Sequence, residues 1–343
     1  MSDTRIGLMP LVSVVVIGKN EGQRLLACLK SIQNITSDKF LTEVIYVDTN
    51  SSDGSPESAS SLGAKVIRIN PSRPSAAIAR NAGWRASSGK YVLFLDGDTL
   101  LDQSFIDQAL SQFSNDAVAI VWGHRREVDP FQSIYVRVLD LDWVYPPGET
   151  EFCGGDALIL RKVLELVDGF DEQLIAGEEP EMCRRIRAKS YIIKHIDTPM
   201  TLHDLAVKSF RAYWRRAFRA GHAYAEVSAR FRNTSDPLWL RDSRRNFIHG
   251  GGLLLLPCVV ILTLFLFSSP QSYLIAFIEV AFVLMLIART AKRCAWKSDN
   301  ASTCWMYAVH SHFQQIPILF GQIAWHWNAL LGVRQKLIQY KDS

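Results

Sequence analysis

Asp96 and Asp98 stand one residue apart at the end of the apolar run Tyr91-Val92-Leu93-Phe94-Leu95, and their type and spacing point most directly to chemistry. Two hard carboxylates suit a divalent cation such as Mg²⁺ or Mn²⁺, above all where a diphosphate adds further oxygens. Aromatic and aliphatic residues without polar alternation suit a strand buried on both faces of a parallel sheet. In an extended chain, residues two apart share a side. Both acids would therefore leave the sheet together at its carboxyl end, where open α/β folds bind ligands. The competing reading is a capped turn that opens the next helix.

The elements that must position this pair follow from the residues upstream. Val12 to Ile17 reads as a strand, Glu21 to Ile32 as a helix, Glu43 to Val47 as a strand, Ser55 to Leu62 as a helix and Lys65 to Ile69 as a strand. Ser75 to Ala86 is helical in its alanine spacing, and the Tyr91 strand follows. That alternation predicts an α/β fold with a mostly parallel sheet flanked by helices. Polar groups collect where strands end, at Asn20 and Glu21 after the first and from Asp48 to Ser55 after the second. Asp48 is placed to accept hydrogen bonds from a base or ribose, or else to cap its own turn.

The C-terminal part has a different composition. The chain has 343 residues, 48% of them hydrophobic, and between Arg245 and Arg289 the only charged residue is Glu279. Gly251 to Phe267 and Tyr273 to Ala288 each approach the roughly 20 apolar residues that cross a bilayer, with Ser268 to Ser272 as a polar turn between them. The alternative is a helical pair buried in a soluble core. Arg241, Arg244 and Arg245 precede this hairpin and Arg289, Lys292 and Arg293 follow it, so the cation rule puts the N-terminal domain and the tail on the cytoplasmic side. Ile316 to Leu331 also lies between basic segments, Lys297 before it and Arg334, Lys336 and Lys341 after. A re-entrant or interfacial segment over about 305–331 fits better than a third span, and Trp325, His326 and Trp327 suit a headgroup region.

Residues 208–249 hold ten Lys or Arg against three acids, although the formal net charge of the whole chain is only +4. Beside apolar spans such a patch suggests anionic lipid headgroups, not nucleic acid. Within it, Phe210, Trp214 and Phe218 recur every four residues beside Arg211, Arg215 and Arg219, an amphipathic basic helix that lies on a bilayer or packs on the preceding domain. Leu11 to Ile17 follows Asp3 and is too short and β-branched for a secretory signal. The six cysteines show no metal spacing and read as reduced thiols, and His310 and His312 read as structural.

Six segments in order carry a resemblance: Val12 to Glu21, Ile45 to Ser55, Ala79 to Thr99, Cys153 to Lys162, Asp168 to Asp171 and Gly177 to Arg187. Together they closely resemble family 2 inverting glycosyltransferases of the GT-A fold, over roughly residues 10–205. With the boundary near residue 205 marked by composition alone, the expected domains are a catalytic domain over 1–205, an interface region over 206–248 and a membrane domain over 249–343. The resemblance implies that Asn20, Glu21 and Asp48 line a nucleoside site, that Arg80 and Asn81 lie near the sugar nucleotide, and that Asp96 and Asp98 form the metal motif. His203 is then a further metal or diphosphate contact, or a packed loop histidine. Glu178 and Glu179 match the family's Glu-Asp pair, whose second member acts as catalytic base. Glu179 stands where Asp is more usual, and both acids also suit a helix N-terminus opened by Pro180.

The activity so implied is transfer of one sugar from a nucleotide diphospho-sugar, with Mn²⁺ or Mg²⁺, to a lipid-linked or saccharide acceptor at the inner (cytoplasmic) membrane, in cell-surface polysaccharide or glycolipid assembly. Processive synthases of the family carry Gln-x-x-Arg-Trp beyond the catalytic domain, whereas no Gln occurs here from residue 174 to 270. Two alternatives stay open: transfer onto a polyprenyl phosphate, and a degenerate nucleotide-binding scaffold on the membrane.

Overall fold

The computed structural model describes residues 9–266 and 269–333. The first span's end at Phe267, the turn residue Ser268, and the tail cations Arg334, Lys336 and Lys341 lie outside them. In chain order the elements are β1 (Leu11–Gly18), α1 (Gln23–Gln33), β2 (Leu41–Asp48), α2 (Ser55–Ser61), β3 (Lys65–Arg68), α3 (Ala76–Arg85), β4 (Tyr91–Asp96), β5 (Thr99–Leu101), α4 (Phe105–Gln112) and β6 (Val118–Glu127). After these come α5 (Ile134–Leu139), β7 (Gly148–Glu149), β8 (Ala157–Leu160), α6 (Arg161–Val167), α7 (Glu178–Arg187) and β9 (Ile192–His203). The remaining helices are α8 (Phe210–Phe231), α9 (Leu240–Leu266), α10 (Pro270–Arg293), α11 (Ala301–Phe313) and α12 (Gln315–Leu330).

Two compact units result. The first takes residues up to Val128 together with Tyr145–Leu205, and the second takes Asp129–Val144 and everything from Ala206. The segment 129–144 therefore belongs with the C-terminal helices although its sequence position is inside the range expected for the catalytic domain.

The first unit is built on one sheet in the order β3-β2-β1-β4-β8-β6-β9-β5, with β7 on β9. Strands β1 to β4 pair in parallel, as the upstream alternation predicts. β8 runs antiparallel to both β4 and β6, and β5 antiparallel to β9, so the sheet is mixed. β1 and β4 are almost wholly buried, which accounts for their unbroken apolar sequences. Each such Val, Ile or Leu contributes about 1.5–3 kcal/mol by leaving water. α3 starts at Ser75, whose hydroxyl accepts from Ile78 N, and it lies close on β1 because Gly83 has no side chain: a Cβ there would come within 2.2 Å of Val15 Cγ1. α7 follows Gly177, held at φ 87°, with Glu178, Glu179 and Glu181 in its first turn and Arg184, Arg185 and Arg187 in its last. This charge order stabilises the helix dipole. The helix begins two residues before Pro180.

In the second unit, α8 and α12 cross through two glycines. A Cβ on Gly221 would lie 2.0 Å from Ile318 O, and one on Gly321 would lie 2.0 Å from Phe218 O. The stripe Phe210 and Trp214 meets Phe313 and Phe320 at ring distances of 6.1–6.3 Å, so its partners are helices further along the chain. Asp142 accepts from Tyr307 Oη at 3.0 Å, Arg137 donates to Thr303 at 2.8 Å and Lys297 donates to Leu141 O at 2.7 Å, which ties 129–144 into this unit. His310 bonds Tyr213 and His312 bonds His249, the structural roles expected of them. The expected hairpin corresponds to α9 and α10. Both are long and apolar enough to cross a membrane, with a mean hydropathy of 2.2 in their most apolar windows, of which only 6% and 11% is buried. All six cysteines are free, five buried and Cys258 exposed.

Candidate active site

The strand ends of the first unit carry one connected network of charged side chains. At its centre is Arg80, on α3 and 2% exposed. Its Nη1 donates to Glu179 Oε1 at 2.8 Å and Glu178 Oε1 at 3.1 Å, and its Nη2 donates to Asp96 Oδ1 at 3.1 Å. Burial opposes a charge on Arg80, but Glu179, Asp96 and Glu178 outweigh it and raise its pKa above the ordinary value. The guanidinium thus bridges the end of β4 to the first turn of α7. Glu178 is 5% exposed and Glu179 20%, so Glu179 is the member of this acid pair that faces outward.

Asp96 is also 3.7 Å from Arg125 Nη2, at the far end of β6, and its backbone N–H donates to Asp156 Oδ1 at 3.2 Å. Arg125 in turn holds Asp156 Oδ2 at 3.0 Å, and Thr201 donates to the same oxygen at 2.8 Å. Burial raises the Asp156 carboxyl, with Arg125 pulling the other way. Arg80 and Arg125 thus bridge four acids here, Asp96, Asp156, Glu178 and Glu179.

Asp98 has other neighbours. Residues 97–98 form a turn, so the alternation of an extended strand stops at Asp96; Arg125 feels the charge of both acids, but Asp98 turns to a histidine that Asp96 does not meet at ion-pair distance. Asp98 Oδ2 lies 3.3 Å from His203 Nε2, and His203 Nδ1 lies 2.7 Å from Glu127 Oε1. Burial and Arg125 would depress the His203 imidazole, yet Asp98 and Glu127 prevail and its pKa is raised. Sheet register builds this triad: Thr99, beside Asp98, pairs with His203 across β5 and β9, and Glu127 pairs with His203 across β6 and β9.

No three His, Cys, Asp or Glu side chains converge as a ready metal cage among the described residues. Asp98 and His203 offer one oxygen and one nitrogen at 3.3 Å. That donor set fits a Mg²⁺- or Mn²⁺-type cation that takes its other oxygens from a diphosphate and water.

The remaining predicted residues are placed as follows. Asn20, at φ 54°, ties the loop after β1 to that after β2, donating its N–H to Ser51 Oγ and accepting from Ser52 N, each at 2.8 Å. Glu21 pairs with Arg24 at 2.8 Å. Asp48 is 1% exposed, with Tyr46 Oη on one oxygen and Ser51 N on the other, the turn-capping arrangement. Asn81 is fully buried and spends its amide on Phe170 O, Glu172, Trp84 Nε1 and Phe170 N. It pins the loop after α6. Arg125, Glu127, Asp156 and Thr201 were not singled out from sequence. Asp156 lies within the Cys153–Lys162 segment that carries part of the family resemblance, and Arg125 and Glu127 end an apolar strand in charges, the same signal that marks Asp96.

Residues 13–165 match Glycosyl transferase family 2. The chain carries a family 2 glycosyltransferase domain. Among curated relatives of this domain, Glycosyltransferase AglE of Haloferax volcanii is 25% identical over 228 residues, covering 64% of this chain and 74% of that protein. The Probable glycosyltransferase YdaM of Bacillus subtilis is 23% identical over 242 residues, 65% of this chain and 57% of its own length. The chain thus spans little more than half of YdaM. Among solved structures, the mannosyltransferase PcManGT from Pyrobaculum calidifontis, in complex with GDP-Man and Mn²⁺, aligns over 94% of this chain and 88% of its own, with TM-score 0.64 and 18% identity. That likeness concerns the fold, and the mixed sheet of this glycosyltransferase domain is GT-A-like.

Proposed function

We propose that this chain is a membrane-anchored, divalent-metal-dependent inverting glycosyltransferase. It moves one sugar from a nucleotide diphospho-sugar to a hydroxyl of a lipid-linked or membrane-proximal saccharide, in cell-surface polysaccharide or glycolipid assembly. The observation that carries this reading is the link through Arg80 between Glu179 and Asp96, two residues from Asp98.

The roles follow from the contacts. Glu179 is the partly exposed acid of the pair, and Arg80 Nη1 at 2.8 Å fixes where its carboxylate sits, as a general base that must meet an acceptor hydroxyl requires. It would accept the proton of the acceptor hydroxyl as that oxygen attacks the sugar carbon opposite the leaving diphosphate, so that inversion needs no enzyme nucleophile. Asp98 and His203 would hold the cation, with Asp96 steadied by Arg80 and Arg125. When bound, the cation neutralises charge developing on the departing diphosphate. The donor and metal named for the Pyrobaculum neighbour support this choice of donor class and of Mn²⁺ or Mg²⁺. The anchor reading is supported by the low burial of α9 and α10, since helices of a soluble core would bury the same windows. The cationic flanks support an inner (cytoplasmic) membrane location with the catalytic domain on the cytoplasmic side.

The test is detergent-purified chain offered UDP-, GDP- and dTDP-sugars with Mn²⁺ or Mg²⁺, with and without membrane lipid extract, and Asp98→Ala as control. Lipid-dependent nucleotide release from one donor, lost in the control, is the expected result. Absence of turnover with every donor, metal and extract would remove the transferase reading.

A further inference from the structure

Glu127 is a fully buried carboxylate that no step above uses. Its side chain is 0% exposed at the last position of β6. One oxygen, Oε1, lies 2.7 Å from His203 Nδ1, and the other, Oε2, accepts Leu205 N–H at 3.0 Å. The backbone closes round the same point, with Val128 N donating to His203 O at 2.9 Å and Asp204 N to Asp98 O at 3.0 Å. A carboxylate is costly to bury and is retained where its oxygens are matched to donors.

We propose that Glu127 is a positioning residue for the cation site: it accepts the Nδ1–H of His203 and thereby aims Nε2, whose proton a bound cation would displace, at the space beside Asp98. A neutral imidazole carries one N–H, and the partner of one nitrogen decides which nitrogen is left to bind a metal. A carboxylate can only accept, so it fixes the proton on Nδ1. The ring is further set by sheet register, since Glu127 and His203 are paired across β6 and β9. The inference rests on the reading of Asp98 and His203 as cation ligands.

Glutamine at this position separates the role from simple capping of Leu205. It offers one acceptor and one donor where glutamate offers two acceptors. Glu127→Gln must give up the Leu205 bond or present an N–H to Nδ1, and the second choice moves the ring proton to Nε2 and blocks the lone pair.

The experiment reads free Mn²⁺ by its electron paramagnetic resonance signal while the detergent-purified full chain is titrated in, with GDP and separately with UDP present. The proteins are wild type, Glu127→Gln, Glu127→Leu, His203→Ala, the Glu127→Gln/His203→Ala double variant and Asp98→Ala. Loss of a residue that orients a metal-binding histidine weakens affinity about 10–100-fold. Glu127→Gln should show that loss in the wild-type background and almost none of it once His203 is already Ala. Unchanged Mn²⁺ binding in Glu127→Gln and also in Glu127→Leu, which offers His203 no acceptor, beside weakened binding in His203→Ala overturns the proposal, as does an equal loss with and without His203. If neither Asp98→Ala nor His203→Ala weakens binding, the cation is held elsewhere and the underlying reading falls first. Should the Gln variant not accumulate as folded protein, Glu127→Asp, which shortens the reach by one methylene, is judged by the same two criteria.

Discussion

Arg80 Nη1 lies 2.8 Å from Glu179 Oε1 while Nη2 of the same guanidinium lies 3.1 Å from Asp96 Oδ1. One rigid fork therefore spans the candidate base and the acid next to the candidate metal ligand. Replacing Glu179 by Gln keeps its shape and removes the proton acceptor. Transfer to a hydroxyl acceptor should fall by about 10²–10⁴-fold while nucleotide binding stays within about twofold. Steady-state kinetics beside calorimetric nucleotide titration checks this. Retained transfer would point to an acceptor that is already anionic, such as a polyprenyl phosphate.

Arg80→Ala should be the most damaging single change in the domain. It removes the guanidinium that Glu178 and Glu179 share at a site 2% exposed. Removing one partner of a buried ion pair costs about 3–5 kcal/mol. Thermal unfolding should show a large loss, and Arg80→Lys should recover part of it without the fork that reaches both Asp96 and Glu179.

The α8 and α12 crossing gives a prediction on stability alone. Gly221→Ala would set a methyl 2.0 Å from Ile318 O, and Gly321→Ala would do so against Phe218 O. Backbone cannot swing aside as a side-chain tip can, so each change forces the helices apart at a cost of about 1–3 kcal/mol. Melting of detergent-purified variants should show both destabilised, whereas Gly252→Ala, with nothing within 4 Å, should not be.

His222 links the second unit to pH. Burial lowers its pKa to about 4, and its Nε2 meets no hydrogen-bond partner among the described residues. Glu226 Oε2 at 3.7 Å would favour the protonated ring but is beyond hydrogen-bond reach, so burial decides. The neutral ring is the folded form: its stability is complete above the unfolded value near pH 6.5 and is lost as pH falls from there toward 4. The loss amounts to at most about 3 kcal/mol. Wild type should melt at lower temperature at pH 5 than at pH 7, and His222→Gln should narrow that gap.

Cys258 tests the membrane reading. It is the exposed cysteine of the six and sits within α9. In native membranes it should resist a charged maleimide and react with a membrane-permeant one. Rapid labelling of intact membranes by the charged reagent would place α9 in water.

The sequence alone determined the strand and helix alternation up to β4, because each element there is written by local pattern: β-branched runs in the strands, alanine spacing in α3 and short polar side chains between β2 and α2. It also determined the apolar lengths of α9 and α10 and the clustering of polar residues at strand ends. Tertiary structure decided what those polar residues touch. Asp96 and Asp98 read as one pair, yet the turn at residues 97–98 sends the first to Arg80 and Arg125 and the second to His203. Glu127 and His203 are 76 residues apart and meet through sheet register. Asn81 beside Arg80 looked like a second ligand-binding residue, and its four hydrogen bonds to a distant loop and to Trp84 could not be read from a motif. The aromatic stripe of α8 showed in its spacing, but only the fold set Phe313 and Phe320 beside it, with Phe210 still half exposed. Periodicity reports which face of an element is buried. What that face meets depends on contacts between segments far apart in the chain, and these form only when the whole sheet and helix bundle close.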